Sequence, residues 1–155
     1  MAVDKDGGVW TWGQNSMGQL GTGYTSSQGQ VSPVRVKAGA ARDEDKVTVN
    51  GVDYLSNIVY VAAGDDFVVA VTRQGYVYAW GANGSGQLGI SSTRESNLPV
   101  RVLAGSTATG ESQSGASYGA AGQQLRNVVK VTAGAAFVIA LRSDGSVLSW
   151  GDNSK

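Results

Sequence analysis

The chain has no cysteine and no histidine among its 155 residues, only two prolines, and a formal net charge of zero. Without thiol or imidazole it cannot build a disulfide framework, a Cys/His zinc site, or a Ser-His-Asp or Cys-His nucleophile. The 12 basic and 12 acidic residues are scattered, so there is no electrostatic footprint for nucleic acid or an anionic membrane surface. Long apolar runs are missing too. The longest, residues 135–141, is far too short to span a bilayer as a helix, and the opening MAVDKDGG lacks the charged-then-apolar pattern of a signal peptide. Nucleic-acid binding, membrane insertion and most familiar hydrolase chemistry are set aside, and no cofactor is implied.

What is abundant is glycine, at 23 of 155 residues, about twice the usual share of roughly 7%. Most of these glycines recur at fixed places. The stretch GGVWTWGQNSMGQLGTG at 7–23 returns as GYVYAWGANGSGQLGIS at 75–91, and its front half returns as GSVLSWGDNSK at 145–155. Trp12, Trp80 and Trp150 thus stand 68 and 70 residues apart. Self-similarity on this scale marks a repeat architecture, here one partial domain over 1–155 with unit boundaries near 1–56, 57–126 and 127–155. A stack usually needs about three units to bury its apolar faces. The expectation is therefore a segment of a longer protein or a subunit of an assembly.

Each unit reads as four strands, A to D. Residues 58–63 (IVYVAA) and 67–72 (FVVAVT) are short, β-branched apolar runs, expected to be strands A and B buried on both faces. In strand C, Tyr78 and Trp80 face one way and Val77 and Ala79 the other. Trp10 and Trp12 against Val9 and Thr11, and Leu148 and Trp150 against Val147 and Ser149, repeat that split. Strand D is PVRV, at 33–36 and 99–102, with its valines inward and Arg35 or Arg101 outward, as suits an edge. Sheets apolar on both faces stack radially, so the expected fold is all-β: propeller blades of four antiparallel strands in an incomplete ring, about two blades plus extra strands. The first unit has strands C and D without A and B, and the last has A, B and C without D. Head-to-tail self-association, three chains making about six blades or four about eight, would complete them and leave one copy of strand C displaced.

The run AAGDDFVVAVTRQGYVYAWGANGSGQLG at 62–89 closely resembles the repeat of the regulator of chromosome condensation family, and WG-x-N-x-x-GQLG occurs twice. The resemblance implies a propeller of about seven blades acting chiefly as a protein-binding platform. It also exposes departures. Where the family commonly has a histidine at the start of strand B, this chain has Phe67 and Phe137, and it carries no basic chromatin-binding tail. Guanine nucleotide exchange, the activity of the nuclear founder, is therefore not expected. The long D-to-A segments, 37–57 and 103–127, resemble a bacterial, often secreted branch, which implies an extracellular or cell-surface location in a bacterium.

In a meander, successive connections alternate between the two ends of the sheet. The A-to-B turn at 64–66 thus shares an end with the C-to-D loops at 13–32 and 81–98. The opposite end carries the D-to-A insertions. The first contains KVTVNGVDYL at 46–55, where Asn50-Gly51 predicts a two-residue hairpin. The second, 105–124, is rich in Gly, Ser, Ala and Thr and reads as a flexible loop. Candidate binding residues are Asp65 and Asp66 on the A-to-B turn, Tyr24, Arg94 and Glu95 on the C-to-D loops, and Tyr54 in the first insertion. Each has a plain alternative as a solvated surface residue, and Ala135-Ala136 replace the Asp pair in the third unit. The acidic run at 42–46 lacks the alternate spacing of a calcium loop and reads as a soluble turn, so no metal is expected. The strand C tryptophans are assigned to the core, and Asn15, Asn83 and Asn153 to turn chemistry. Asn83-Gly84-Ser85 matches a glycosylation acceptor by coincidence of the repeat. The function expected is a non-enzymatic protein-interaction module with an unidentified partner. Alternatives are an enzyme inhibitor, as a secreted propeller with similar repeats is, or a glycan-binding surface protein.

Overall fold

A computed structural model describes residues 1–105 and 123–154 of the chain. The flexible loop expected over 105–124 falls, but for its ends, outside the described residues. The strands are β1 (Ala2–Val3), β2 (Val9–Asn15), β3 (Ser26–Arg35), β4 (Lys46–Val49), β5 (Val52–Leu55), β6 (Ile58–Ala63), β7 (Phe67–Thr72), β8 (Val77–Gly81), β9 (Ser96–Arg101), β10 (Val128–Ala133), β11 (Phe137–Arg142) and β12 (Val147–Gly151). Their pairing is that of an antiparallel meander. The second blade is complete, in the order β6-β7-β8-β9; the first holds β1-β2-β3 and the third β10-β11-β12. In the first blade β1 supplies only two residues of a strand B, and in the third no strand D is present among the described residues.

The predicted face split holds. Val77 and Ala79, with Phe67, Val69 and Val71, pack against Val131, Val138 and Ala140 of the third blade, and Leu148 and Trp150 close on the same cluster. On the other side of the second blade, Tyr78 and Trp80 join Val68 and Ala70 against Val9, Val36 and Leu55. Small residues on one blade thus receive bulky ones from the next, so that neighbouring sheets share a buried apolar interface.

Two repeated contacts register each blade against its neighbour. The Trp80 indole N–H donates to the Gln19 carbonyl (3.0 Å), and Trp150 makes the same bond to Gln87 (2.9 Å). The ring lies over Gly21 or Gly89, where a Cβ would come within 3.0 Å of the indole nitrogen and φ is +66° or +62°. Only glycine fits both demands. At the opposite end, Ile58 N–H bonds to the Gly7 carbonyl and Val128 N–H to that of Gly75. A Cβ on Gly7 or Gly75 would strike the incoming backbone at about 2.7 or 3.0 Å.

Three expectations change. Strand A is not buried on both faces: β7 is fully buried, but in β6 Val59 is exposed and Tyr60 only half-buried. Both faces of β6 still meet a neighbouring blade, Tyr60 and Ala62 on one side and Val61 on the other, whereas Val59, like Val129 in β10, falls at a register shift in the pairing with the next strand and is left exposed. Strand D of the first blade is longer than PVRV, because β3 starts at Ser26 and follows β2 back to Asn15 across two bulges. The tryptophans are not all core. Trp80 is 0% exposed while Trp12 is 46% exposed, and among the described residues Trp12 has no carbonyl partner like Gln19 or Gln87. Trp80→Ala should cost about 3–5 kcal/mol and Trp12→Ala under about 1 kcal/mol, measured as chemical-denaturation free energies of the two variants.

Candidate functional site

The C-to-D connections are built alike from a buried asparagine. Asn15 Oδ1 accepts the Leu20 N–H (3.1 Å) and its Nδ2 donates to the Tyr24 carbonyl (2.9 Å). Asn83 repeats this, accepting from Leu88 (2.9 Å) and donating to the Ser92 and Arg94 carbonyls (2.8 and 2.7 Å). One amide therefore closes the GQLG turn and ties down the start of the variable loop. Asn83 is fully engaged and buried, which closes it to glycosylation and agrees with the sequon as coincidence. Asn153, expected to share this turn chemistry, is exposed and has no GQLG turn after it in this chain. At the loop surfaces, Tyr24, Arg94 and Glu95 are all exposed.

The A-to-B turn joins these loops at the same end. Asp65 is exposed, while Asp66 is half-buried and its Oδ1 accepts a hydrogen bond from Gln19 Nε2 of the preceding blade (2.8 Å). The Asp66 carbonyl also accepts from Ala82 (2.8 Å), a bond that Ala136 and Asp152 reproduce in the third blade. Asp66 is thus more than a solvated charge, because its carboxylate bridges two blades. The structure brings Asp65, Asp66, Tyr24, Arg94 and Glu95 to one end of the sheets.

Tyr54 lies elsewhere. It sits half-buried on β5, within the hairpin that Asn50 and Gly51 turn with φ of 50° and 78°, as the sequence predicts. Arg35 lies 5.2 Å above its ring and 5.9 Å from that of Trp10. Arg35 is therefore covered by the hairpin rather than pointing outward from an edge.

The acidic run before the hairpin is also different from a soluble turn. It forms a short 3₁₀ turn, Asp43–Asp45, in which Asp45 is wholly buried. Tyr78 Oη donates to Asp45 (2.8 Å) and accepts from the Arg42 N–H (3.1 Å), and Asn57 Nδ2 donates to Asp45 (2.9 Å). Burial pushes the Tyr78 phenol up to about 12. This network anchors the hairpin to the second blade. The signal in the sequence was a hydroxyl at Tyr78 where the third unit has Leu148.

A second missed feature is a cavity of about 180 Å³ between Trp12, Gln14 and Gln19 on one side and Ala63, Asp65 and Phe67 on the other. It is smaller than the few hundred Å³ of a typical small-molecule site. Among the described residues no three His, Cys, Asp or Glu side chains come together as a metal site, and no helix is long and apolar enough to cross a membrane. The loop end presents aromatic, cationic and anionic groups on fixed backbone.

The model of the regulator of chromosome condensation (RCC1) repeat matches residues 6–71 and 74–141, and a second model of that repeat matches 58–87 and 128–155. Among similar proteins, the human Probable E3 ubiquitin-protein ligase HERC6 is 34% identical over 155 residues, covering 99% of this chain and 12% of that protein. The Ultraviolet-B receptor UVR8 of Arabidopsis thaliana is 29% identical over 143 residues, covering 92% of this chain and 25% of that protein. This chain spans a quarter or less of either relative. Both are eukaryotic and lend no support to a bacterial branch. Among solved structures, human WBSCR16 superposes with a TM-score of 0.62 at 24% identity, over 96% of this chain and 29% of that one. Prp20p of Saccharomyces cerevisiae, described together with its binding to Gsp1p and histones, also has a TM-score of 0.62, at 21% identity over 97% of this chain and 30% of that one. Both likenesses are of fold.

Two substitutions test the local chemistry. Asp66→Ala should lower unfolding free energy by about 1 kcal/mol through loss of the Gln19 bond, whereas Asp65→Ala should stay within about 0.5 kcal/mol. Tyr78 has its folded pKa raised from 10.0 to about 12, so its contribution to stability is complete below pH 10 and falls as pH rises toward 12. Denaturation midpoints across that window should drop in the native chain and drop less in Tyr78→Phe, which starts lower because Asp45 loses a donor.

Proposed function

This chain belongs to the regulator of chromosome condensation repeat family, and on that basis we propose that it is a protein-interaction module without catalytic activity of its own, binding through the end of the blades that carries the A-to-B turns and C-to-D loops. The observation that carries this reading is the repeated asparagine anchor. It fixes the backbone of Tyr24 and Arg94 while leaving those side chains, with Glu95 and Asp65, exposed on a rigid sheet. Binding by an ordered loop loses little conformational entropy. The described binding of Prp20p to Gsp1p and histones supports a protein as the ligand class. Association between copies of the chain belongs to the same proposal, as does a location outside the cell or at its surface.

Pull-down from an extract of the source cells, run beside a glycan array, tests the ligand class. Recovery of the same protein by the native chain but not by a Tyr24→Ala, Arg94→Ala, Glu95→Ala variant is the expected result, and glycan binding alone would replace it. Asp65→Ala should act mainly on association rate and its salt dependence. Catalytic amounts of the chain should leave the release of labelled nucleotide from a Ran-like GTPase unchanged.

A further inference from the structure

Glycine follows asparagine at two places in the sequence, Asn50-Gly51 and Asn83-Gly84. A glycine in that position leaves its backbone nitrogen open to the preceding carboxamide, because no side chain shields it and its backbone turns freely. The structure treats the two pairs oppositely. Asn83 is 1% exposed, and its carboxamide is held by three hydrogen bonds, accepting from the Leu88 N–H and donating to the carbonyls of Ser92 and Arg94. Those bonds fix both ends of the amide on the C-to-D loop. Asn50 and Gly51 are exposed at the tip of the β4–β5 hairpin. Among the described residues the Asn50 carboxamide makes no hydrogen bond, and the Gly51 N–H donates to no backbone carbonyl. Nothing lies within 4 Å of the point where a Cβ on Gly51 would stand. Nucleophile and electrophile are therefore adjacent, uncrowded and untied.

We infer that Asn50 is a site of spontaneous covalent modification, deamidation through a backbone succinimide, and that its isoaspartate product opens the tip of the hairpin. The Gly51 nitrogen gives up its proton to solvent base and attacks Asn50 Cγ, the Cγ–Nδ2 bond breaks, and ammonia leaves as the ring closes. Water then opens the ring. Attack at Cγ breaks the bond just made and returns an ordinary aspartate, whereas attack at the backbone carbonyl carbon of Asn50 leaves the chain running through Cγ, as isoaspartate. The balance is one water consumed and one ammonia released, with nothing oxidised or reduced. The turn accepts only one of these products. Aspartate-glycine suits the same two-residue turn as asparagine-glycine. Isoaspartate lengthens the backbone by one carbon between Val49 and Val52, which pair directly across the turn. Since the turn sets hairpin register, the longer loop unseats that pair and then the Thr48–Asp53 contact beyond it. The base of the hairpin is held independently, by Asp45 beneath Tyr78 and Asn57 and by the bridge between Lys37 and Tyr54. The opening is therefore confined to the tip, and the blades are untouched.

Peptide mapping by mass spectrometry of the native chain aged in mildly alkaline buffer reads the reaction, with aspartate and isoaspartate separated by chromatography. Conversion at Asn50 should run at least about tenfold faster than at Asn83, whose hydrogen bonds must be released before its ring can close. The rate should rise with pH, because the attacking nitrogen must lose its proton. Amide hydrogen exchange over 46–55 should be faster in the isoaspartate chain than in the fresh one, and unchanged over β6 to β9. Two variants separate the causes. Asn50→Gly keeps a pair that suits the turn but has no carboxamide, so it should age with neither mass gain at residue 50 nor loosening. Fresh Asn50→Asp carries the new charge on a backbone of ordinary length and should exchange like the fresh native chain. Conversion at Asn50 no faster than at Asn83, an isoaspartate hairpin that exchanges like the fresh one, or equal loosening in either variant would each overturn the inference. These readings do not involve the loop end, so they stand apart from the pull-down.

Discussion

Most of the architecture hangs on one contact, the indole N–H that crosses from one blade to the carbonyl in the preceding blade's Gly-Gln-Leu-Gly turn. It is a long-range bond made by a large buried ring, so it fixes the spacing and the rotation of neighbouring sheets together. The glycine beneath the ring, the asparagine that closes the turn and the small residues opposite the tryptophan are all conditions for that contact. Trp12, which makes no such bond among the described residues, lies half in solvent beside a cavity.

Strand order, the two faces of strand C, the hairpin at Asn50-Gly51 and the end of the molecule that carries Asp65 and Arg94 were all legible from the sequence. They follow from alternation, turn chemistry and repetition, which are local or periodic signals. Less legible were features that depend on which element is innermost or on a single partner far along the chain. Val59 looks like a core residue by composition, and only the register shift between Ile58 and Tyr60 exposes it, as the matching shift exposes Val129. Asp45 looks like a solvated acid, and the hydroxyl of Tyr78, 33 positions later, together with the amide of Asn57, gives it a buried home. Asp66 appears dispensable because the third unit has alanine there, yet its carboxylate holds a glutamine 47 positions earlier.

The loop end and the blade faces divide the work between them. Side chains that point between sheets are nearly fixed by the repeat, as Val9, Val77 and Val147 or Trp12, Trp80 and Trp150 illustrate. The loops after the Gly-Gln-Leu-Gly turn differ freely, because their anchoring uses backbone carbonyls of Tyr24, Ser92 and Arg94 and makes no demand on the side chains. Variation at these positions leaves the scaffold intact. That separation is what lets one scaffold present different surfaces.

The Gln19–Asp66 bond has a bearing on how such a chain finds its own order while folding. Near-identical neighbouring units invite a strand to pair with the wrong neighbour, a characteristic failure of repetitive proteins. In the second junction the corresponding position is Ala136, so Gln87 meets no carboxylate there. The bond therefore marks the first junction as different from the second. A strand that settles one unit out of place forfeits it, and the polypeptide carries in two side chains a record of which blade follows which.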